Sequence, residues 1–539
     1  MKIKGEKYHE KDMEKAMSLT LAGAMALSMV ACGGGNSNTS NNSGNNAGTQ
    51  QSGEAAATTD GKPTITFMTT SFYGTDLKNE HSDEVIKKYE EYTNTHVEWQ
   101  WEANDTYTEK LGLTLMDKDN MPMVLTASGN LTANIVDAAK KGAFWDLAPY
   151  LADKETYPNL SQANPNVLKA LTVDGKVIAI YRARAVGRYG FSYRKDWAEA
   201  VGITEAPKTV EDVYNMMYKF TYEDPDGNGK DDTYGLELTK YTGPLDIIQT
   251  WFGCGNEWVE KDGKLIPVHQ TQEFMDALKW MKKMYDDGLV RKDWATVDSG
   301  TFSDSCKKGE SGCFIDVMDG AKRIWNYYTK NDVKSVTDPS KLATMELVGP
   351  INDKTLATSG FNGFYMITKA GAKTEEDVKN CLHYLDKMCD DEMLVLADYG
   401  LEGITYDLNE AGNVVKRGEL EPQQSPSNGL NQSLCYIPNL EATSPALEKD
   451  DAAKAQDAAY KKNEQYAVFN PALGYLANSE VNAEVGTDIE QIIEDARTQY
   501  ICGQIDDAGF EAAAQQWLDR GGDRLIEDVN RLYQEDTAK

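Results

Sequence analysis

Between Thr64 and Ser128 the apolar spacing changes period four times, and this alternation limits the fold more than any other feature of the chain. "TITFMT" (64–69) is apolar and β-branched, as a strand is. "SDEVIKKYEEYT" (82–93) has helical spacing, with Ser82 as the expected N-cap. "HVEWQW" (96–101) alternates as a strand, "YTEKLGLTLMDK" (107–118) returns to a helix, and "MVLTAS" (123–128) is a strand again. That order implies a parallel or mixed sheet with helices on its faces. "NIVDAAKKGAFWDL" adds a helix that Gly142 ends.

A second series follows. "GKVIAIYRARAVGRYGFSYRKDW" (175–197) is long and strand-like, with Gly187 and Gly190, and predicts a connection between two bodies. "TVEDVYNMMYKFTYE" (209–223) predicts a helix capped by Thr209, and "TYGLEL" a strand. Residues 271–289 and 374–400 have helical spacing, "ELVGPIN" and "GFNGFYMIT" read as short strands, and the C-terminal part is mostly helical. With 539 residues the chain can hold two or three domains.

The N-terminus predicts export. Five lysines in residues 1–15 precede "AMSLTLAGAMALSMVAC", a 16-residue apolar run before Cys32, short for a spanning helix. "SMVAC" before "GGG" resembles a bacterial lipobox, in which the Cys receives lipid; Met29 stands where that pattern usually has Leu. The acidic residues among the first twelve are unusual for a signal start, and Met13 is an alternative initiator. Residues 33–61 contain no large apolar side chain, so they predict a tether with a reach on the order of 30 Å. The expected layout is a signal peptide at 1–31, a disordered tether at 32–61, and a folded body from 62. No later run is apolar enough to span a membrane. The net charge of −31 disfavours nucleic acid and anionic lipid headgroups. Beyond Cys32 seven cysteines remain, an odd number. Cys381 and Cys389 stand about 12 Å apart along one helix, too far to bridge. Buried free thiols are expected.

Chemistry-bearing motifs are sparse. There is no P-loop, G-x-S-x-G, HExxH or GxGxxG, and the five histidines show no metal spacing. "DPDGNGKDDTYG" (224–235) is the exception. Asp224, Asp226, Asn228, Asp231 and Asp232 supply hard oxygen donors, and Gly227 and Gly229 allow sharp bends. Calcium takes six to eight such oxygens. Position twelve of the loop, a Glu in a full EF-hand, is Gly235. The loop is either a calcium tie or an acidic Asx-turn, and structural in both cases.

Five segments in order resemble the extracellular solute-binding proteins of ABC importers, in the lipoprotein and alginate-binding-like branch that handles oligosaccharides. They are "GKVIAIYRARAVGRYGFSYRKDW", "APKTVEDVYNMMYKF", "DPDGNGKDDTYGL", "FMDALKWMKKMYDDGLVRKDWAT" and "YGLEGITYDLNEAG". The resemblance runs from about residue 62 to 539. It implies an α/β, two-lobed periplasmic-binding-protein-like fold (type II), with a hinge of two or three crossing segments and a helical C-terminal part. The expected lobes are 62–182 plus 358–400, and 183–357 plus 401–539 with the calcium loop 224–235. Crossings are expected near 181–191, 355–362 and 398–404. It further implies a structural Ca2+ held by the side chains of Asp224, Asp226, Asn228 and Asp232 and the carbonyl of Lys230.

A sugar site needs aromatic platforms and fixed polar groups. Ser71 and Tyr73 follow the first strand, at the carboxyl edge where α/β clefts form. Trp251, Trp325, Asn362, Tyr399 and Glu402 are the further candidates. Arg182, Arg184 and Arg188 have even spacing, which on a strand places them on one side; facing the cleft, Arg184 and Arg188 would bind an anionic sugar, and otherwise they would pair with surface acids. The implied function is a lipid-anchored receptor on the extracellular face of the cell membrane. It would be a monomer that passes an oligosaccharide to an ABC permease without catalysis. The alternatives are a surface lyase or glycosidase, or a ligand-binding sensor partner; a peptide ligand is also compatible with the fold.

Overall fold

The computed structural model describes residues 61–537 except 118 and 419. The expected signal segment, lipid-acceptor Cys32 and the tether up to residue 60 lie outside the described residues. The first body is built on a five-stranded sheet. Its elements are β1 (Thr64–Ser71), α1 (Ser82–Thr93), β2 (His96–Ala103), α2 (Tyr107–Met116), β3 (Val124–Ala127), α3 (Ala133–Lys140) and β4 (Ile180–Ala183). β1 runs parallel to both β2 and β3. β1 is buried on both faces for most of its length, which suits a central strand covered by helices on each side. α1 turns Val85 and Tyr89, one turn apart, into that core.

Ser82 differs from expectation. It is the first helical residue, after His81 in the left-handed region, and its hydroxyl donates to Pro426 O at 2.7 Å instead of capping the helix. A distant carbonyl outcompetes the local cap.

After β4 the chain enters a second body. Its elements are β5 (Tyr189–Arg194), α4 (Val210–Tyr222), β6 (Tyr234–Leu236), α5 (Gly243–Trp251), α6 (Gln272–Asp286), β7 (Ser311–Val317), α7 (Met318–Lys330) and β8 (Met345–Gly349). The sheet order is β8-β5-β7-β6, with β7 parallel to β6 and antiparallel to β5. α4 starts as its sequence predicts: Thr209 and Asp212 cap each other's backbone reciprocally. Phe191, Trp197, Phe220, Trp251 and Trp294 fill the core beneath.

The chain returns through β9 (Thr355–Leu356) into β10 (Phe361–Ile367), which joins the first sheet between β3 and β4. α8 (Glu375–Lys387) and α9 (Asp391–Tyr399) cover that sheet. Residues 401–442, expected in the second lobe, belong with the first core: Leu401, Tyr406, Leu430, Leu434 and Ile437 are buried there. Consequently 398–404 is not a crossing. The chain next crosses after Ala442 and before α10 (Asp451–Glu464), whose Tyr460 and Lys462 bond Asp319 and Val348 O of the second body, and β11 (Ala467–Val468) then pairs in parallel with β9 at the junction. The chain closes with α11 (Glu480–Ile501), α12 (Asp507–Trp517) and α13 (Asp523–Thr537), which pack on the second body.

Of the seven cysteines beyond Cys32, all are free, six buried and Cys502 partly so. Among the described residues no helix is long and apolar enough to cross a membrane.

Candidate functional site

β1 and β3 run in parallel, so their carboxyl ends share one edge of the first sheet, where ligands of open α/β sheets sit. β1 ends at Ser71. Its hydroxyl donates to Asp76 and accepts the Gly74 amide at 3.0 Å, which holds the following loop. That loop presents Phe72 and Tyr73, both more than half exposed. Behind it Leu77 donates to Asn428 O at 2.9 Å, and a Cβ on Gly429 would meet Asp76 Cβ at 2.7 Å. The approach of these two loops requires glycine there.

The result is a cavity of about 440 Å³ lined by Tyr73, Asp76, Asp398, Tyr399, Lys416 and Gln432, among others. A second cavity of about 420 Å³ is lined by Arg184, Asp398, Tyr399, Lys416 and Tyr436. The two share Asp398, Tyr399 and Lys416, so they form one groove along the first body. Lys416 Nζ lies 5.4 Å from the Tyr399 ring centroid. Burial raises the Asp398 carboxyl to about 6, against the opposing hydrogen bond from the Tyr436 hydroxyl at 3.1 Å.

The three arginines part company because β4 stops at Ala183. Arg182 is buried and donates to Gln432 Oε1 at 3.1 Å and Asn431 O at 3.0 Å, which fixes the groove floor. Arg184 lines the groove. Its Nη1 donates to Ala183 O at 3.1 Å, and among the described residues no carboxylate lies within ion-pair distance. Burial and then the charge of Arg182 lower its pKa. Arg188 reaches the second body and forms a two-pronged pair with Asp319, at 2.8 and 2.9 Å. Arg323 at 2.6 Å and the Tyr460 hydroxyl at 2.9 Å join the same carboxylate. Burial works to raise Asp319, but the hydrogen bonds from Arg188 and Arg323 overcome it and hold the group at about 2.

Of the expected ligand residues, the groove brings together Tyr73, Arg184 and Tyr399. Ser71 sits beneath it, buried, as the support of the Tyr73 loop. Arg188 is committed to Asp319. Trp251 is 1% exposed, edge-on to Phe191 at 6.3 Å, and is core. Trp325 packs against the cluster around Ile324 and Phe314. Asn362 is exposed at the β10 bulge and Glu402 on the turn after α9, and neither lines the groove. Asp76, Asp398, Lys416, Gln432 and Tyr436 escaped the sequence reading. Asp398 stands in the last turn of α9, and Lys416, Gln432 and Tyr436 lie in 401–436, where the elements are too short to carry a periodic signal.

The acidic loop 224–235 is exposed at the end of α4. Asn228 Nδ2 donates to Asp226 at 2.7 Å and to Asp232 at 3.1 Å, while Asp224 accepts the Asn228 and Gly229 amides at 3.1 and 3.0 Å. The Lys230 amide donates to Asn228 Oδ1 at 2.8 Å. Among the described residues no three acid, histidine or cysteine side chains converge closely enough to hold a metal. The donor set remains all hard oxygen, drawn together by one amide. Gly235 explains the missing twelfth ligand: a Cβ there would meet Met217 Cβ at 2.5 Å, because β6 packs directly on α4.

Two α/β bodies joined by adjacent crossing segments, with a polar and aromatic groove at the strand ends, define a protein built to hold a solute. Residues 78–305 match the family model described as bacterial extracellular solute-binding protein. Lipoprotein LipO of Bacillus subtilis (strain 168) is 36% identical over 83% of this chain and 88% of its own length. The polygalacturonan/rhamnogalacturonan-binding protein YtcQ of the same organism is 27% identical over 90% of this chain and 94% of its own. An extracellular solute-binding protein from Bifidobacterium longum subsp. infantis shares the fold, with a TM-score of 0.62 at 16% identity, over 89% of this chain and 99% of that one. The chain belongs to the bacterial extracellular solute-binding proteins.

Proposed function

We propose that the protein captures an oligosaccharide bearing carboxylate groups and delivers it to the permease of an ABC importer. The carrying observation is Arg184, a groove-lining guanidinium with no carboxylate within ion-pair distance among the described residues, beside Tyr399 and Tyr436, although Asp398 and Glu441 line the same cavity. Sugar rings offer C–H faces to aromatic rings and hydroxyls to amides. A uronate adds a carboxylate that matches the arginine fork. The polygalacturonan/rhamnogalacturonan-binding name of YtcQ points the same way.

In this reading 62–182, 358–400 and the 401–442 segment form one lobe, and 183–357 with the C-terminal helices the other. They close on cargo as a monomer, without a covalent step. Lipid on Cys32 and the tether beyond it hold the body at the outer face of the membrane. One Ca2+, bound by the side chains of Asp224, Asp226, Asn228 and Asp232 and the Lys230 carbonyl, ties α4 to β6.

The test is a thermal unfolding series with oligogalacturonate against neutral fructo- and malto-oligosaccharides. A ligand at about 100 times its Kd adds roughly 2.7 kcal/mol. The acidic sugar should raise the midpoint, and Arg184→Ala should abolish the response. Unchanged affinity in that variant rejects an acidic cargo, and no response to any sugar rejects a carbohydrate cargo.

A further inference from the structure

The two halves of the groove differ in chemistry. In the cavity of about 440 Å³ uncharged polar side chains dominate the wall: Ser425, Ser427, Asn428, Asn431 and Gln432. Bonds among them fix their positions. Gln432 Nε2 donates to Asn431 Oδ1, and the Ser425 and Ser427 hydroxyls are bonded to each other, both at 3.1 Å. Phe72 and Tyr73, 55% and 52% exposed, line the same cavity. Its charged lining is two acids, Asp76 and Asp398, and, among the described residues, one cation, Lys416.

The cavity of about 420 Å³ has no amide and no aliphatic hydroxyl side chain in its lining among the described residues. Its cations are Arg184 and Lys416, and its acids are Asp398 and Glu441. Glu441 is already met by Lys449, which stands outside the lining, at 2.6 Å. Asp398 and Lys416 belong to both halves and offset each other. The unshared charges therefore decide: Asp76 on one side, Arg184 on the other. Asp76 is 4% exposed, so little water stands between its charge and the cavity, and repulsion of an anion there is weakly screened.

A uronate placed in the first half would set its carboxylate against Asp76, and like charges brought together exclude a ligand. A neutral sugar in that half offers its C–H faces to Phe72 and Tyr73 and its hydroxyls to the amides. A uronate in the second half meets the Arg184 fork. Cargo that satisfies both halves is mixed. We propose that the groove selects an oligosaccharide in which a uronate stands next to a neutral sugar, and discriminates against a chain of uronates alone. The proposal rests on the reading of the groove as an acidic-sugar site and narrows it.

Calorimetric titration of the full chain at neutral pH with three tetrasaccharides tests it: one that alternates galacturonate with rhamnose, tetragalacturonate, and maltotetraose. The alternating sugar should bind at least tenfold more tightly than either of the others. Leu420 lines the first half and is 50% exposed, so Leu420→Lys adds a cation there without disturbing the core. That variant should bind tetragalacturonate at least threefold more tightly and leave maltotetraose unaltered. Tetragalacturonate bound as tightly as the alternating sugar, or no gain in Leu420→Lys, would overturn this inference and leave the acidic cargo standing. Maltotetraose bound as tightly as the alternating sugar, or no binding of any of the three, would reject the acidic cargo and this inference with it.

Discussion

Asp398 is a groove carboxyl held near neutrality by burial, so its titration is coupled to folding. Below about pH 4 it is protonated in folded and unfolded chains alike. As pH rises, the unfolded chain loses the proton first, while the native chain keeps it up to about 6. The native state then binds more protons, and stability falls with rising pH across that window, by up to about 3 kcal/mol. Asp398→Asn should remove the fall. Urea midpoints of the two proteins should nearly coincide at about pH 4, with the variant more stable at about pH 7. A difference that does not change with pH would mean that the carboxyl titrates normally. Tyr73 and Tyr399 were candidates from the sequence because one stands two residues past a strand and the other at the last position of a helix. Trp251 was a false candidate, since α5 is buried on every side from Ile247 to Trp251 and shows no solvent face. Asp398 closes a helix, and nothing local reports that Tyr436, thirty-eight residues on, comes back to meet it.

Local rules hold for whole elements where partners are near in sequence. The Thr209–Asp212 capping box is written three residues apart and forms as written. Ser82 fails as a cap because its partner, Pro426 O, is far along the chain. The 224–235 loop is the local kind: its glycines, Gly227 at φ +68° and Gly229 at φ +75°, and its oxygen donors are all within twelve residues. If calcium ties α4 to β6, a chelator should lower the unfolding midpoint and added calcium restore it, by roughly 2.7 kcal/mol at 100 times Kd. Asp224→Asn with Asp226→Asn should make the midpoint indifferent to both additions. A wild-type midpoint already indifferent to chelator would reduce the loop to a hydrogen-bonded turn.

The bodies are joined where three crossing segments lie side by side. Thr358 donates its amide to Val186 O and its hydroxyl to Ala185 O, both at 3.0 Å. Thr355 and Ala357 donate to Tyr466 O and Val468 O at 3.0 and 3.1 Å. The first crossing was legible from its glycines and strand-like spacing, and the second followed only from the family resemblance. The segment at β11 was not legible, because it is two residues long and is a strand only by pairing with β9. Asn463, at the end of α10, locks this junction. Fully buried, it donates to Gly187 O at 2.8 Å and Tyr189 O at 2.9 Å. A Cβ on Gly187 would meet its Cβ at 2.4 Å, so the crossing chain lies flat against it. Asn463→Ala should orphan two carbonyls and cost about 1–3 kcal/mol. Asn463→Asp keeps the volume but loses both donors and sets a buried anion against carbonyl oxygens, so it should cost more than Ala. Both variants should also bind groove ligand more weakly with every groove residue intact, because a looser junction must be reordered on closing. Urea unfolding and titration of the two variants decide it: an aspartate variant as stable as wild type would show that packing, and not the pair of hydrogen bonds, holds the crossings together.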